Sequence, residues 1–573
     1  MLFSDVAVLF DRIEKKSGRL EMTDILSSLF KRTDHTEIGK LVYIIQGILV
    51  PPYEGIDLGM GERFAMQAIA SSAGYGFGEV EKNYKKSGDL GDSAETLLTK
   101  KKQTALSTTQ MSVAYVYDSM IKIAKSSGTG SQDQKIKILT ELLNNSSPLE
   151  ARYIVRFVIG SLRLGVGDPT IIDALSFAAS GDKSLREPLE RAYNVCADLG
   201  FVAGFYDKPD RIAAFEVEPF RPLMPALAER ENTPEAIVER LGECDIEMKY
   251  DGFRLQCHKS GDKVELYSRK LEKMTHMFPD LVAEIRKLKA ETIIFEGEAL
   301  AYDQKKKRYF SFQQTMHRRR KHDIEEASAE LPLKLFVFDV LYLDGKDLTN
   351  EKYSKRRVKL EKLFHDDILM PSRSSRVSTS LELEKIFQES IKEGLEGIIA
   401  KDLNAPYTAG KRKFAWIKLK KSYGKAVDTV DGIIVGYYLG QGARAQFEFG
   451  GVLLAIYNSD SGRLETVAKV ASGFSEEEMV ELRAALEKIK TKEPPANLDF
   501  KIEVDFWVEP KYVVEAAFDE ITESPNHTCG MHDGKGYALR FPRISRMRED
   551  KGIKEITTTD EVEKIFRMQG HPR

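Results

Sequence analysis

Cysteine is scarce in this chain of 573 residues. Its four cysteines are scattered, and no two of them form a C-x-x-C pair: Cys196, Cys244, Cys257 and Cys529. Zinc knuckles and disulfide frameworks both need cysteines at short, regular spacings, so the sequence favours neither kind of site. We interpret each cysteine as an ordinary small apolar side chain.

Long hydrophobic runs are also missing. No stretch of the sequence approaches the roughly 20 apolar residues that a membrane-spanning helix requires. Residues 1–5 lack the charged start and apolar core of a signal peptide. We therefore expect no membrane contact and a cytoplasmic, intracellular location.

The chain has no large excess of charge of either sign. Its 86 lysines and arginines nearly balance 89 aspartates and glutamates, for a formal net charge of -3. This balance gives no whole-molecule attraction for a polyanion, so nucleic acid would have to bind to local patches. Candidate patches are the basic runs at 305–308, 318–321 and 411–413, each of which could instead be a solvated loop.

Apolar residues make up 42% of the chain, which at this length is enough for two to four domains. Over residues 1–215 they recur at helical spacing, as in Leu2, Val6, Leu9, Phe10 and Ile13. Ser4 or Asp5 is the expected cap of this first helix, and further helices are expected at 113–123, 136–143 and 151–164. Four prolines between 207 and 225 favour an extended connector. We predict an all-α domain over 1–215.

After residue 243 the pattern of apolar residues changes from helical spacing to short runs typical of strands. A hairpin is predicted from strands at 253–258 and 264–267 around a turn at 260–262. Further strands are expected at 292–301, 333–343 and 397–400, with a helical stretch at 281–288 between them. This mixture predicts an α+β domain with mainly antiparallel strands over 216–423.

A third domain is predicted over 424–573. Strand candidates at 432–439, 451–457, 502–508 and 513–518 favour a small β-barrel, interrupted by one helix that a Ser475 and Glu478 capping box announces. The triplet Gly440-Gln441-Gly442 lacks the third glycine and following helix of a dinucleotide motif, so we interpret it as a hairpin turn. A C-terminal helix carrying Val562, Ile565 and Phe566 is expected to dock on its own domain.

The most informative segment is Glu247-Met248-Lys249-Tyr250-Asp251-Gly252-Phe253-Arg254. A lysine amine attacks phosphorus only when deprotonated, which nearby positive charge such as Arg254 promotes, and Gly252 would let the backbone approach a phosphate. The K-x-D-G-x-R pattern resembles the nucleotidyl-lysine motif of DNA ligases, RNA ligases and mRNA-capping enzymes. The alternative is a surface hairpin whose turn holds Lys249.

Further segments resemble motifs of this superfamily and follow one another in the family's order: Ser268-Arg269-Lys270, Phe295-Glu296-Gly297-Glu298-Ala299, Leu335-Phe336-Val337-Phe338-Asp339-Val340, Glu396-Gly397-Ile398-Ile399-Ala400-Lys401, Trp416-Ile417-Lys418-Leu419-Lys420 and Arg546-Met547-Arg548-Glu549-Asp550-Lys551. The resemblance implies nucleotide or phosphate contacts by Glu247, Arg254, Arg269, Glu298, Lys401, Arg412, Lys418, Lys420, Arg548 and Lys551. It also implies that Phe338 stacks on the purine and that Glu298 and Glu396 bind the metal.

Residues 151–165 resemble part of the helical DNA-binding domain of replicative DNA ligases. The chain as a whole is therefore similar to ATP-dependent DNA ligases of the archaeal and eukaryotic replicative type, and the 546–551 segment implies an OB-fold for the barrel. The resemblance implies nick sealing through a covalent AMP on Lys249, in replication, repair and recombination. It also implies ATP as cosubstrate, Mg²⁺ (with Mn²⁺ left open), nicked duplex DNA as partner, a nucleoid-associated monomer, and a sliding clamp whose contact would lie at Gln103-Thr104-Ala105-Leu106.

Three alternatives remain open at this point. An NAD-dependent ligase would share the lysine motif but would bring a cysteine zinc finger, and no C-x-x-C pair exists in the sequence. An RNA ligase or an mRNA-capping guanylyltransferase would share several motifs, and a capping enzyme would take its label from GTP. A DNA-bridging scaffold with an inactive nucleotide site would bind DNA without forming a covalent nucleotide.

Overall fold

The computed structural model describes the whole chain except residues 17, 88, 102–109, 161, 163, 165, 232, 304–307, 311–313, 316–317, 319–323, 411, 421–428, 441–448, 492, 549–550 and 570–573. The chain forms two compact units, Met1–Lys420 and Lys421–Arg573. Among the described helices, none is both long and apolar enough to cross a membrane.

The N-terminal part of the first unit is helical, as predicted. Its helices are α1 (Phe3–Glu14), α2 (Arg19–Arg32), α3 (His35–Gln46), α4 (Glu62–Ala73), α5 (Phe77–Ser87), α6 (Leu90–Thr99), α7 (Val113–Lys125), α8 (Ser131–Asn145), α9 (Pro148–Val158), α10 (Asp168–Ser180), α11 (Arg186–Cys196), α12 (Leu199–Ala203) and α13 (Pro209–Ala213), with a 3-10 turn at Pro52–Glu54. Their apolar stripes meet in one core, to which α1 contributes Val6, Phe10 and Ile13.

Three local predictions in this region need correction. Helix α1 begins at Phe3, and Leu2 at its N-cap position makes no side-chain capping hydrogen bond. Ser4 and Asp5 therefore lie inside the first turn, and neither is the cap. The helix expected at 151–164 ends at Val158 and begins earlier, at a capping box formed by Ser147 and Glu150. The proline-rich stretch is not wholly extended, because Pro209 opens α13, where its missing N–H costs nothing.

Residues 215–226, hereafter the connector, form neither helix nor strand. They lead into the second half of the unit, which holds β1 (Leu227–Arg230), α14 (Pro234–Leu241), β2 (Cys244–Lys249), β3 (Phe253–Ser260), β4 (Lys263–Ser268), α15 (Pro279–Arg286), β5 (Thr292–Asp303), β6 (Arg308–Tyr309), α16 (Ile324–Glu330), β7 (Leu333–Leu343), β8 (Lys346–Asp347), α17 (Tyr353–Leu363), β9 (Leu369–Pro371), β10 (Ser374–Val377), α18 (Ser380–Lys392), β11 (Gly397–Asp402) and β12 (Arg412–Lys420), with a 3-10 turn at Thr275–Met277. The predicted hairpin is confirmed as β3 and β4, and the strand predicted at 333–343 is β7.

These strands make two sheets, each with one apolar and one polar face. The first has the order β1-β12-β11-β2-β10, and the second has the order β4-β3-β5-β7-β8. Alternate residues of a strand share a face, so Ile246 of β2, Ile398 of β11 and Ile417 of β12 pack in one core. Leu255 of β3 and Phe295 of β5 belong to the corresponding core of the second sheet.

The connector is bound to the polar face of β3. Four hydrogen bonds join its backbone to successive polar side chains of this strand: Phe220 N to His258 Nδ1 (2.9 Å), Leu223 N to Gln256 Oε1 (2.8 Å), Gln256 Nε2 to Leu223 O (3.2 Å) and Arg254 Nη1 to Ala226 O (2.8 Å). A polar strand face therefore lies against backbone, which explains why Gln256 and His258 are buried.

The second unit is mainly β, with β13 (Thr429–Tyr438), β14 (Gly451–Asn458), β15 (Arg463–Val470), α19 (Glu476–Glu487), β16 (Lys490–Thr491), β17 (Leu498–Asp499), β18 (Phe506–Val508), β19 (Val513–Ala517), β20 (Glu520–Ser524), β21 (Cys529–His532), β22 (Lys535–Arg540), β23 (Arg543–Met547), a 3-10 turn at Ile553–Glu555 and α20 (Thr559–Met568). Strand β13 pairs with β14, β18 and β19, which curls the sheet, and the unit is OB-fold-like.

Several details of this unit match the sequence predictions. The capping box of Ser475 and Glu478 starts α19, and Val562 of α20 is buried in the unit's own core. The strand expected at 502–508 is shorter, since only Phe506–Val508 pairs. The turn expected at 440–442 falls mostly outside the described residues. All four cysteines of the chain are buried and free, as expected.

Candidate active site

Lys249 is the last residue of β2, and residues 250–252 carry the chain from the first sheet to β3 of the second. The surface-hairpin alternative is therefore wrong. The Lys249 ammonium is ion-paired with the Glu396 carboxylate, and the Glu396 N–H donates to the Lys249 carbonyl at 3.1 Å. The neighbouring Tyr250 is buried and stacks on Phe336 with ring centroids 4.1 Å apart, which holds the backbone beside the lysine.

Gly252 is required by close packing against β5. A Cβ built on Gly252 would lie 2.3 Å from the Ala299 carbonyl oxygen, a clash of backbone that no side-chain movement relieves. Its N–H donates to Glu298 Oε1 at 3.1 Å. Burial raises the pKa of Glu298 to about 7, against the opposing effect of the Lys249 charge. The glycine thus places a carboxylate with an elevated proton affinity close to the lysine.

The polar face of the first sheet carries several of the predicted residues. Glu247 of β2 and Lys418 of β12 both pair across the strands with Ile399 of β11, so the three lie in one row. In the next row, Lys401 donates to Glu247 Oε1 at 2.9 Å and to the Phe338 carbonyl at 2.8 Å. Lys401 and Glu247 are only 1% and 2% exposed. Their ion pair lets each neutralise the charge of the other, because an unpaired charge would be costly at such burial.

Phe338 lies between cations at the meeting of the two sheets. The Arg254 guanidinium and the Lys401 ammonium lie 5.3 Å and 5.1 Å from its ring centroid, and the Trp416 ring meets it edge-on at 5.9 Å. The side chain of Phe338 is only half-buried, unlike those of its neighbours Val337 and Asp339. A partly accessible aromatic face next to two cations suits an aromatic, anionic ligand such as a nucleotide.

A group of buried polar residues behind this site was missed in the sequence. Arg356 of α17 makes two hydrogen bonds to Asp339, at 2.7 and 2.9 Å, and both side chains are fully buried. On the same helix, Tyr353 donates to Glu247 at 2.5 Å, and Arg357 lies 3.4 Å from the same carboxylate. No short motif marks these residues, because their partners are distant in sequence.

The remaining predicted residues of the first unit are less informative. Arg269 is exposed just after β4. The side chains of Arg412 and Lys420 lie outside the described part of the chain, as do residues 103–106 and most of the three basic runs. One member of those runs needs correction: Arg318 is 1% exposed and donates to Asp280 at 2.6 Å, so it is a buried ion-pair member and not a surface contact.

Arg548 and Lys551 belong to the second unit, where both bind Asp431 of β13. Arg548 Nη1 lies 3.0 Å from Asp431 Oδ1, and Lys551 Nζ lies 2.6 Å from Asp431 Oδ2. Arg548 Nη1 is also 3.7 Å from Glu515. In this arrangement the two cations are held by carboxylates of their own unit.

The carboxylates near Lys249 suit a divalent metal ion that also binds phosphate oxygens of the substrate. Mg²⁺ prefers oxygen ligands and is commonly bound by one or two carboxylates together with substrate phosphates. Glu298 and Glu396 could supply those carboxylates. No group of three or more histidine, cysteine or carboxylate side chains suited to a metal occurs among the described residues.

Comparison with known proteins gives matches along almost the whole chain. Residues 2–176 match the family described as DNA ligase N terminus, 225–420 match the ATP dependent DNA ligase domain, and 445–551 match the ATP dependent DNA ligase C terminal region. A probable DNA ligase of Dictyoglomus turgidum is 45% identical, and the match covers 99% of this chain and 98% of the relative. The chain belongs to the ATP-dependent DNA ligase family.

Other ligases are similar over the same extent. DNA ligase 2 of Thermofilum pendens is 41% identical, with 99% of this chain and 97% of the relative covered. Among solved structures, one described as Pmar-Lig_Pre matches with a TM-score of 0.57 and 16% identity, covering 95% of this chain and 99% of that one. This structural likeness supports the ligase fold, with its helical N-terminal region, central adenylation domain and OB-fold-like C-terminal region.

Proposed function

We propose that the chain seals nicks in duplex DNA with ATP as cosubstrate, through a covalent AMP on Lys249. The observation that carries the proposal is the position of Lys249 at the junction of two sheets, next to Glu396 and near the aromatic and cationic surroundings of Phe338. Membership of the ATP-dependent DNA ligase family supports this role for the lysine. It disfavours the capping, RNA-ligase and scaffold alternatives.

Three displacements at phosphorus make up the reaction. The neutral Lys249 amine attacks the α-phosphorus of ATP, a P–N bond forms, and the P–O bond to pyrophosphate breaks. An oxygen of the 5'-phosphate at the nick then displaces the lysine, giving an AMP-capped DNA end. The 3'-hydroxyl finally attacks that 5'-phosphorus, loses its proton, and releases AMP as the phosphodiester forms.

The residues of the first unit have separable roles in the proposal. Glu396 is ion-paired with Lys249 and so positions the lysine side chain within the site. The half-buried ring of Phe338 stacks on adenine in this proposal. Arg254, Lys401, Lys418 and Lys420 balance phosphate charge, and Glu247 holds Lys401 in place. Glu298 and Glu396 would hold Mg²⁺, which supplies charge neutralisation on the transferring phosphate when bound.

The wider assignment follows from the proposed reaction. Residues 1–215 would contact DNA phosphates without reading bases, 216–423 would carry adenylation, and 424–573 would be the OB-fold domain with its C-terminal helix. We also propose that the enzyme acts as a monomer on nucleoid DNA, that a sliding clamp is a partner in replication, and that Arg269 and Arg412 contact the nucleotide.

Incubation with α-labelled ATP followed by denaturing electrophoresis tests the proposal. The wild-type protein should retain label, and Lys249→Ala should retain none while binding nicked DNA nearly as well, because the grip on DNA is spread over a large surface. Lys289→Ala removes an exposed lysine outside the motifs and is the matched control. Label that persists on Lys249→Ala, or that comes from GTP in preference to ATP, contradicts the proposal.

A further inference from the structure

Four groups form a closed circuit of hydrogen bonds between the connector and the candidate site. The Ala226 N–H donates to the Tyr407 hydroxyl at 2.9 Å, and that hydroxyl donates to Glu296 Oε2 at 2.8 Å. The same carboxylate oxygen accepts from Arg254 Nη2 at 2.9 Å, and Arg254 Nη1 donates to the Ala226 carbonyl at 2.8 Å. The backbone of one connector residue, Ala226, is thus hydrogen-bonded at both its N–H and its carbonyl.

The circuit is buried, and its position fixes one side of the nucleotide site. Glu296 and Tyr407 are 1% and 5% exposed. The Tyr407 ring packs edge-on against Trp416 at 5.9 Å, and the Arg254 guanidinium lies 5.7 Å from Trp416 and 5.3 Å from Phe338. Any shift of Arg254 would therefore change the surroundings of the ring that is proposed to stack on adenine.

The charges of the circuit explain why it holds together. Burial lowers the proton affinity of Arg254, but the charge and hydrogen bond of Glu296, together with the nearby Tyr407 and Glu298, outweigh it, and the net effect is a raised pKa of the guanidinium. Burial and the Glu296 charge both raise the pKa of the Tyr407 hydroxyl, so it remains a proton donor. A buried carboxylate that accepts from two such donors has little freedom, because losing either bond leaves charge unpaired in a low-dielectric region.

We propose that Tyr407 is a positioning residue for nucleotide binding: its hydroxyl joins Glu296 to the connector and so sets the orientation of Arg254 beside Phe338. The inference rests on the nucleotide-contacting role of Arg254 in the proposed function. It adds that the segment leading from the helical region to the adenylation domain is part of the support of the nucleotide site. The tyrosine itself touches no substrate.

Tyr407→Phe tests this inference, because it removes both hydrogen bonds of the hydroxyl and keeps the ring packed on Trp416. Self-adenylylation of the full chain should be measured against ATP concentration. We expect the half-saturating ATP concentration to rise about tenfold, the equivalent of one or two lost hydrogen bonds, and the maximal rate to change less than about threefold. Tyr193→Phe removes a comparable bond to Asp168 in the helical region and should leave both parameters unchanged.

A double-mutant comparison separates a positioning role from a merely structural one. If Tyr407 acts through Arg254, Tyr407→Phe combined with Arg254→Lys should impair ATP binding no more than Arg254→Lys alone. Glu296→Gln keeps the shape of the circuit but removes its charge, and it should also raise the half-saturating ATP concentration. If Tyr407→Phe does not fold, Glu296→Gln combined with Arg254→Lys provides the same comparison.

The outcomes are distinguishable. If Tyr407→Phe melts at a lower temperature than wild type but keeps the same dependence on ATP concentration, the role of Tyr407 is only structural. That result overturns the inference. The same holds if the two single effects simply add. If Arg254→Lys itself leaves the ATP dependence unchanged, the nucleotide-contacting role assigned to Arg254 under the proposed function is wrong instead.

Discussion

At the scale of single residues, Phe338 differs from the core aromatics around it because its side chain is only half-buried and two cations lie close to its ring. Phe338→Ala should raise the ATP concentration needed for self-adenylylation more than Phe338→Tyr does, since tyrosine keeps the aromatic face. The measurement is label incorporation against ATP concentration for the two variants. Equal losses in both would favour a plain packing role for this ring.

His258 gives a pH-dependent prediction. Burial lowers its pKa to about 3, so the folded protein keeps it neutral and its Nδ1 accepts from the Phe220 N–H. An unfolded histidine titrates near 6.5, so between about pH 3 and 6.5 the unfolded chain binds a proton that the folded chain does not. This contribution to stability is complete above pH 6.5 and is lost as the pH falls, by about 2 kcal/mol at pH 5.

Melting of wild type and His258→Gln from pH 5 to 8 measures the effect, because glutamine can accept the same bond but does not titrate. The wild type should lose more stability than the variant as the pH falls from 7 to 5. His532→Gln, at a histidine that is 80% exposed, should follow the wild type. A difference between wild type and His258→Gln that stays constant with pH would contradict the prediction.

At the scale of elements, α17 supports the site through a fully buried ion pair. Removing the guanidinium in Arg356→Ala leaves Asp339 charged and without its buried partner, which should reduce the free energy of unfolding by about 3 to 5 kcal/mol. Arg373→Ala breaks an exposed pair with Glu393 and should cost about 1 kcal/mol or less. Urea unfolding of both variants checks the difference, and similar costs would show that the Arg356 pair is not what stabilises this region.

The elements also show what could be predicted from sequence. The β3 and β4 hairpin was predicted from two short strand-like runs around a turn at 260–262, and β7 was predicted from an apolar run. The order of the site motifs likewise singled out Lys249, Glu298 and Phe338, whose roles stay predictions. Two features could not be predicted: the polar residues of β3 bind the connector, and the arginines of α17 are buried. Both depend on partners that are far apart in sequence, and a polar helix or strand is normally interpreted as solvent-facing.

At the scale of the whole molecule, we propose that two residues of the second unit, Arg548 and Lys551, serve one step of a reaction whose lysine lies in the first unit. The resemblance implies that these two cations contact the β and γ phosphates of ATP, whereas in this structure both bind Asp431. Those phosphates leave as pyrophosphate in the first step only. Arg548→Ala and Lys551→Ala should therefore lose self-adenylylation and still seal a nick that is supplied with a pre-adenylylated 5' end.

Asp431→Asn decides between this role and a structural one. If the two cations only anchor β23 and the following residues to β13, removing the carboxylate should destabilise the second unit as much as removing Arg548, and both activities should fall together. If the cations serve ATP, Asp431→Asn leaves them in place and should retain self-adenylylation even where its melting temperature drops. Thermal melts run beside the two activity assays separate the cases. Arg548→Ala and Lys551→Ala that melt normally and fail equally at both steps would rule out the step-specific role.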